Sequence, residues 1–446
     1  MKMKIGVVSL GCPKNLVDSE IMLGMLDKDR FEITNNEKDA EIIIVNTCGF
    51  IESAKQESID AILEMAQYKK ENCRLLVVTG CLAERYREQI LQEIPEVDAV
   101  IGTGNYDEIG HVIEKAKAGV KTVLYGKLDH IGYLENSRIV SSEKGCAYLK
   151  IAEGCNNGCS YCVIPSLRGP YRSRKMENIL KEAAHLAEQG VRELIIVAQD
   201  ITRYGTDIYK ARKLVDLIRE LSALEGIQWI RLLYCYPEEI DDRLIEEIAT
   251  NSKVCKYIDV PIQHASDKIL KAMGRRGKIE DVRKLLKRMR DRIPGVIIRT
   301  SLIVGFPGED EEDFKELCGF VREFMFDRLG VFIYSREEGT KAARIRPQVK
   351  KSIKEKRYND VMALQKAITQ ENNKKRLNRT YETLVEGIAE DGIFYYGRTY
   401  AEAPEIDGKV FFTSREPLKA GEFVNVRILD TDDYDLIGEV INESSQ

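Results

Sequence analysis

The chain has 446 residues, of which 43% are apolar and 32% charged, with a net charge of −5 and eleven cysteines. That length exceeds what one hydrophobic core supports, so about two or three domains are expected, and no apolar run approaches the ~20 residues of a membrane-spanning helix. The small negative charge gives no global nucleic-acid signature, and an odd cysteine count without an export signal favours a reducing, cytoplasmic setting and metal ligation over disulfides.

The opening apolar segment, Ile5 to Leu10 after Met1-Lys2-Met3-Lys4, is too short for a signal peptide and runs on into helix-like sequence. Residues 1 to about 125 alternate strand-like and helical patterns, the rhythm of a doubly wound parallel sheet. The strand candidates at 4–9, 40–46 and 74–79 run into Gly11-Cys12, Thr47-Cys48 and Gly80-Cys81. Ligands of such sheets sit beyond the carboxyl ends of the strands, so Cys12, Cys48 and Cys81 are expected to converge on one edge as a metal site. The alternative is three unrelated core thiols. Cys73, Cys146, Cys235, Cys255 and Cys318 lack such a setting and read as packing residues.

Residues 126–145 read as a polar connector, and from 146 to 340 the strand–helix rhythm repeats six times. Strand candidates at 147–152, 193–198, 229–234, 257–262, 296–304 and 329–334 predict a partial (β/α)6 barrel, whose chemistry belongs on the loops after the strands. The first of these loops is Gly154-Cys155-Asn156-Asn157-Gly158-Cys159-Ser160-Tyr161-Cys162. Three thiolates spaced C-x₃-C-x₂-C can each hold one iron of a cubane cluster and leave the fourth iron without a protein ligand, whereas an electron-carrier cluster normally takes four cysteines. Structural zinc also wants four ligands, and the nearest further ones in sequence are Cys146 and His185. A third reading packs the three cysteines as small hydrophobes.

The same rule brings Gln199-Asp200, Tyr236, Gln263-His264, Gly305 to Glu309 and Ser335-Arg336 to strand ends. Gln263 and His264 suit hydrogen bonds to a polar ligand, or His264 is a satisfied histidine opening the next helix. Asp200 is a base or a cap, with capping the commoner role. Gly305-Phe306-Pro307-Gly308-Glu309 is either a close backbone approach to a ligand or an ordinary turn.

Residues 341–380 carry thirteen Lys or Arg against three acids, and read as a solvated linker helix with an apolar stripe of Ile353, Tyr358, Val361, Leu364 and Ile368, or alternatively as a nucleic-acid contact. Five short alternating segments between 381 and 441 predict a small five-stranded barrel of oligonucleotide-binding type. Residues 381–446 hold five Lys or Arg and fifteen acids, a balance that repels phosphate and prefers a basic partner, so no nucleic-acid contact is expected through this barrel.

The three-cysteine loop, with Tyr161 before its last cysteine, resembles the radical S-adenosylmethionine (SAM) enzymes, and the whole chain resembles their methylthiotransferase family: an N-terminal cluster domain, the radical barrel and a C-terminal TRAM barrel. One branch modifies an adenosine of transfer RNA; the RimO-type branch modifies an aspartate of a small-subunit ribosomal protein. The stretches Val8 to Glu20, Ala198-Gln199-Asp200-Ile201-Thr202-Arg203-Tyr204-Gly205 and Pro261-Ile262-Gln263-His264-Ala265-Ser266-Asp267 look like the second branch. The resemblance implies two [4Fe-4S] clusters, one on Cys155, Cys159 and Cys162 that binds and cleaves SAM, and one on Cys12, Cys48 and Cys81 that supports sulfur delivery. It makes Gln199, Gln263, His264, Gly305 and Glu309 candidates for the SAM pocket. It further implies two SAM molecules per reaction, a low-potential electron donor, a sulfur source and a ribosomal protein as substrate. The alternatives are the transfer-RNA enzyme and, from another class, an iron–sulfur redox sensor without turnover.

Overall fold

The runs Ile-Ile-Ile-Val-Asn-Thr and Leu-Leu-Val-Val-Thr-Gly bury every residue, as parallel strands covered on both faces do. The computed structural model describes residues 2–141 and 145–441, and these runs form the middle of a six-stranded parallel sheet. Its strands are β1 (Met3–Ser9), β2 (Phe31–Ile33), β3 (Ile42–Thr47), β4 (Leu75–Gly80), β5 (Ala99–Ile101) and β6 (Thr122–Leu124), in the spatial order 2-1-3-4-5-6. The expected strands are β1, β3 and β4. The other three span three residues each, too few to carry a readable period.

A second six-stranded sheet comprises β7 (Cys146–Lys150), β10 (Glu193–Val197), β11 (Trp229–Leu232), β12 (Val254–Asp259), β13 (Ile297–Val304) and β14 (Arg328–Ile333), in the order 14-13-12-11-10-7. Its pairings from β10 to β14 are parallel, as expected for the partial barrel. Two short strands, β8 (Ala152–Glu153) and β9 (Arg172–Ser173), pair antiparallel on either side of the three-cysteine loop. The C-terminal strands β15 (Thr380–Ile388), β16 (Tyr395–Arg398), β17 (Val410–Thr413), β18 (Phe423–Asp432) and β19 (Asp435–Val440) close a barrel around Val385, Val410, Phe412, Val426, Ile428 and Leu436.

Contacts divide the chain into two compact units that do not follow chain order. The first takes the N-terminal sheet together with Lys150–Asn178 and Ser335–Ala343; the second takes Ile179–Tyr334 and the residues from Arg344 on. The cysteine loop therefore belongs with the N-terminal sheet, a division that the strand–helix rhythm does not reveal. The described part of the polar connector is also packed in place, for Tyr133 is buried and Arg138 forms a buried ion pair with Glu20 at 3.0 Å. Residues 142–144 of that connector and 442–446 of the terminal domain lie outside the described residues.

The helix Lys351–Lys374 departs from the solvated linker of the sequence reading. It buries Arg357, Val361, Gln365, Ile368, Thr369 and Asn373, while Ile353, counted in the expected stripe, is exposed. Arg357 reaches Glu309 at 2.6 Å and Gln365 donates to the Phe326 carbonyl at 2.8 Å, so polar residues hold this face against the second unit's core. Part of the terminal barrel's acidity is likewise internal. Arg231 and Arg398 bracket buried Glu193 at 2.6 and 2.7 Å, Arg398 also pairs with Glu386, and Glu402 is held by Arg328 at 2.9 Å and by Arg376.

Burial alone would raise the Glu402 carboxyl, but Arg376 and then Arg328 prevail and bring it down to about 2 from an ordinary 4.5. A depressed carboxyl stabilises the fold above its unfolded pKa and loses that contribution as pH falls through the folded value. Stability of the second unit is therefore expected to drop between about pH 4.5 and pH 2. Glu402→Gln, which leaves two buried guanidinium groups short of a partner, should cost about 3–5 kcal/mol in denaturant unfolding at neutral pH and flatten that acid limb.

Candidate active site

The register of the first sheet brings three strand ends together. Ser9 lies beside Asn46, and Asn46 beside Thr79, so Cys12, Cys48 and Cys81 follow neighbouring strands within two or three residues of one line. Gly11 has φ +88°, and a Cβ there would meet Cys48 Cβ at 2.7 Å and its Sγ at 3.0 Å. Only glycine lets the Cys12 turn approach Cys48 this closely. Cys12 then opens the helix Pro13–Met25, and Cys81 opens the helix Cys81–Tyr86.

Amide side chains lock the turns. Asn15 Nδ2 donates to the Leu10 and Thr47 carbonyls, both at 2.9 Å, and Asn46 Nδ2 donates to Asn15 O and Ser19 Oγ, both at 2.8 Å. Ser58 Oγ accepts from Cys48 N at 3.0 Å and donates to Cys48 O at 2.9 Å. Burial and then the neighbouring Cys81 and Cys12 push the Cys48 thiol up to about 12. Burial also raises Cys81, whereas at Cys12 the charges of Lys14 and Arg168 outweigh burial and lower the thiol. Three adjacent thiolates oppose one another's ionisation, a penalty that a cationic iron group removes.

The second triad sits on the loop between β8 and β9. Cys155, Cys159 and Cys162 are half-buried; Cys155 Sγ accepts from Asn157 N and Cys162 Sγ from Ile164 N, each at 3.4 Å. Hydrogen bonds to sulfur are among the means by which proteins tune iron–sulfur clusters. Burial, followed by Cys159 and Cys155, raises Cys162 to about 12. The loop is fixed by Cys155 N donating to Gly169 O at 3.1 Å, Tyr171 N to Asn156 Oδ1 at 2.9 Å, and Ala342 N to Ser160 O at 2.8 Å. Among the described residues no three of His, Cys, Asp and Glu close on a point fit for a single ion. Two all-sulfur triads on glycine-bearing loops, with backbone N–H groups donating to sulfur, fit an iron–sulfur cube, which takes its thiolates farther apart.

Between the triads lies a buried ionic frame that the sequence reading missed. Asp18 Oδ1 accepts from Lys150 Nζ at 2.6 Å and Tyr133 OH at 3.3 Å, and its Oδ2 accepts from Arg168 Nη1 at 2.6 Å. Glu153 Oε2 accepts from Tyr133 OH and Arg168 Nη1, both at 3.1 Å, and also pairs with Lys150; its Oε1 accepts from Gly154 N at 3.0 Å. Lys150 and Arg168 hold the Glu153 carboxyl well below the usual range although burial opposes them. Arg168 Nε reaches Cys81 Sγ at 3.3 Å, and Cys81 packs with Val163, Leu167 and Phe50. The signal for this frame is Lys150 itself, a charge inside the apolar run Ala147 to Ala152, because a buried charge must find partners.

The proposed SAM-pocket residues fall in the second unit. Asp200 is a cap, accepting from Thr202 N at 3.1 Å, and Gln199 beside it is half-buried. Gln263 adopts φ +77°, strained for a non-glycine residue, where it bridges to Leu302 between its neighbours on β13. His264 is fully buried: Nδ1 accepts from Ser266 N at 3.0 Å, which leaves the proton on Nε2, 3.5 Å from Glu309. Glu309 Oε2 accepts from Gly305 N at 2.7 Å and Phe306 N at 3.1 Å, while Oε1 pairs with Arg357. His264 and Glu309 thus brace the Gly305 loop from inside. The loop Ser335–Ala343 joins the first unit, where Glu337 pairs with Arg85 at 2.7 Å and Lys55 at 3.2 Å.

A parallel N-terminal sheet with one cysteine triad, a six-stranded partial barrel whose first strand leads into a C-x₃-C-x₂-C loop, and a closed five-stranded barrel define a radical SAM enzyme of the methylthiotransferase class. Family models match in the same order: the uncharacterized protein family UPF0004 over residues 4–102, the radical SAM superfamily over 149–321 and the TRAM domain over 379–441. Similar folds include the radical SAM methyltransferase TsrM of Kitasatospora setae (TM-score 0.58, 15% identity, 77% of each chain) and the cobalamin-dependent SAM radical enzyme OxsB (TM-score 0.51, 12% identity, 82% of this chain and 56% of that one). At these identities they show the fold alone.

Two relatives of full length carry the same name. The ribosomal protein uS12 methylthiotransferase RimO of Acetivibrio thermocellus is 63% identical over the whole of both chains, and that of Clostridium acetobutylicum 50% identical, again over both chains in full. The chain belongs to the RimO family of ribosomal protein uS12 methylthiotransferases, enzymes that use SAM and [4Fe-4S] clusters. No helix among the described residues is long and apolar enough to cross a membrane.

The close packing at Gly11 makes a direct test of the first triad. Gly11→Ala should cost about 1–2 kcal/mol of stability from the left-handed backbone alone. By displacing Cys48 it should also reduce the iron bound after anaerobic reconstitution by about half, the share of one cluster in two.

Proposed function

We propose that Cys155, Cys159 and Cys162 hold the cluster at which SAM is bound and cleaved, that Cys12, Cys48 and Cys81 hold a second cluster serving sulfur delivery, and that the product is a methylthio group on the β-carbon of one uS12 aspartate. The observation that carries this reading is that both triads belong to one compact unit and are joined by the Arg168–Cys81 contact and the apolar cluster of Cys81, Val163, Leu167 and Phe50. An aspartate β-hydrogen is too weakly acidic for any side-chain base, and SAM with its cluster, when bound, would supply the radical chemistry that such a position demands.

The chain's own part is to hold six thiolates in place, to bury the surroundings of the first triad and to seat the cofactor. Gln263, strained on the β13 side of the sheet, and Gln199 are the side chains proposed to contact SAM; Gly305, whose missing side chain makes room for Lys354, lies in the neighbouring loop that His264 and Glu309 shape. Electrons come from a low-potential donor and sulfur from a separate source, in the cytoplasm. Arg357 and Lys354 of the basic helix are tied to Glu309 and to the Tyr334 carbonyl, and Lys366 pairs with Asp433, so much of that helix's charge is engaged within the chain and the transfer-RNA reading loses its main support.

Anaerobic incubation with uS12, SAM and reductant should give a methylthio adduct on a single aspartate by mass spectrometry. Cys155→Ala should abolish 5′-deoxyadenosine, a loss of more than about a hundredfold, while Cys48→Ala should retain cofactor cleavage and lose thiolation. Modified transfer RNA beside unmodified uS12 would contradict the substrate, and normal thiolation by the Cys48 variant would contradict the division of labour.

A further inference from the structure

Arg168 stands where the two triads meet. It ends the short helix Ile164–Arg168 that follows Cys162, is 3% exposed, and has every arm of its guanidinium engaged. Nε–H points to Cys81 Sγ at 3.3 Å, Nη1 is shared between Asp18 and Glu153, and Nη2 donates to Asn15 Oδ1. Asn15 Oδ1 is itself 3.9 Å from Cys81 Sγ, so the sulfur lies against a fork and an amide that are both locked. The ring of Tyr106 covers the guanidinium at 5.9 Å.

The charges around it explain why an arginine is needed. Lys150 and Arg168 are balanced by Asp18 and Glu153, so the frame is neutral before Cys81 is counted. When Cys81 is a thiolate ligand, the added negative charge faces one buried N–H donor on a cationic group, and that donor is Arg168 Nε. A planar fork can serve two carboxylates, an amide and a sulfur at once; an ammonium cannot. Hydrogen bonds to cluster sulfurs, together with local charge, set the reduction potential of iron–sulfur centres.

We propose that Arg168, supplied by the loop of the SAM-binding triad, is a positioning residue for the other cluster: it fixes the Cys81 thiolate and favours the reduced state of the iron group that Cys12, Cys48 and Cys81 hold. The inference rests on the assignment of a second cluster to these cysteines. It makes the segment that closes the SAM-binding loop a determinant of the redox balance of the sulfur-delivering site, so that the two clusters are not independently tuned.

The test uses the full chain with Cys155, Cys159 and Cys162 replaced by Ala, so that only the N-terminal cluster contributes to an anaerobic EPR-monitored redox titration. If this parent binds no iron, the second-cluster assignment itself fails. If it binds a cluster, Arg168→Lys keeps the charge beside Asp18 and Glu153 but loses the bond to sulfur. The reduced-to-oxidised ratio at fixed poise should then fall about tenfold, the worth of one charge-assisted hydrogen bond, and further in Arg168→Gln. An unchanged titration in Arg168→Lys overturns the proposal. Where Arg168→Gln loses its iron, the same substitution in the chain with all cysteines decides: loss of N-terminal iron alone supports positioning, and loss at both triads, or a collapsed circular dichroism spectrum, assigns Arg168 a merely structural role.

Discussion

Everything about the candidate site depends on four charges with no water around them. Asp18, Lys150, Glu153 and Arg168 have side chains between 0 and 3% exposed, and taking such groups out of water costs several kcal/mol per ion unless each finds partners of good geometry. Here each does. Asp18 comes from the helix that opens at Cys12, whereas Lys150, Glu153 and Arg168 flank the C-x₃-C-x₂-C loop on both sides, so the frame can be satisfied only when that loop is seated against the N-terminal sheet. Apolar packing alone would tolerate sliding; a closed set of ion pairs in a low dielectric does not. The cysteines, whose separation in sequence exceeds a hundred residues between Cys12 and Cys155, inherit a fixed arrangement from charges that do no chemistry themselves.

The second unit uses the same device for another purpose. Glu193 on β10 is bracketed by Arg231 on β11 and Arg398 of the terminal barrel, and Glu402 is gripped by Arg328 on β14 and by Arg376 at the end of the long helix. Each carboxylate joins elements far apart in the chain. Such links are weak sources of net stability, since a hydrophobic replacement of like volume often does as well. Their effect is on geometry. The terminal barrel, the long helix and the radical sheet are drawn into one body, and the acids left over remain on the barrel surface, among them Asp430, Asp432 and Asp433.

The strands β1, β3 and β4 were legible because long aliphatic runs ending in Gly-Cys or Thr-Cys leave few alternatives, and the terminal barrel because five alternating segments leave fewer. Three-residue strands such as β2 and β5 were not, since periodicity needs length. The approach of the strand ends that carry Cys12, Cys48 and Cys81 was legible from the strand-end rule. The frame was not, because a buried ion pair looks in sequence like any other charge; only Lys150, set in an apolar run, stood out. The helix Lys351–Lys374 was read only in part: Val361 and Ile368 of the expected stripe are buried, but Arg357, Gln365, Thr369 and Asn373 share that face, and polar residues give no apolar signal. His264 and Glu309 follow strands as expected, yet the Glu309 carboxylate and His264 Nδ1 are engaged with the protein itself, which no spacing could tell.

The central claim, that one buried set of charges seats the C-x₃-C-x₂-C loop against the N-terminal sheet, is tested most directly by native-state hydrogen exchange with mass spectrometry on wild type and Asp18→Asn. Residues 10–25 and 150–168 should lose protection together in the variant, opening as one cooperative unit. Loss confined to residues 10–25, with the cysteine loop as protected as before, would contradict it.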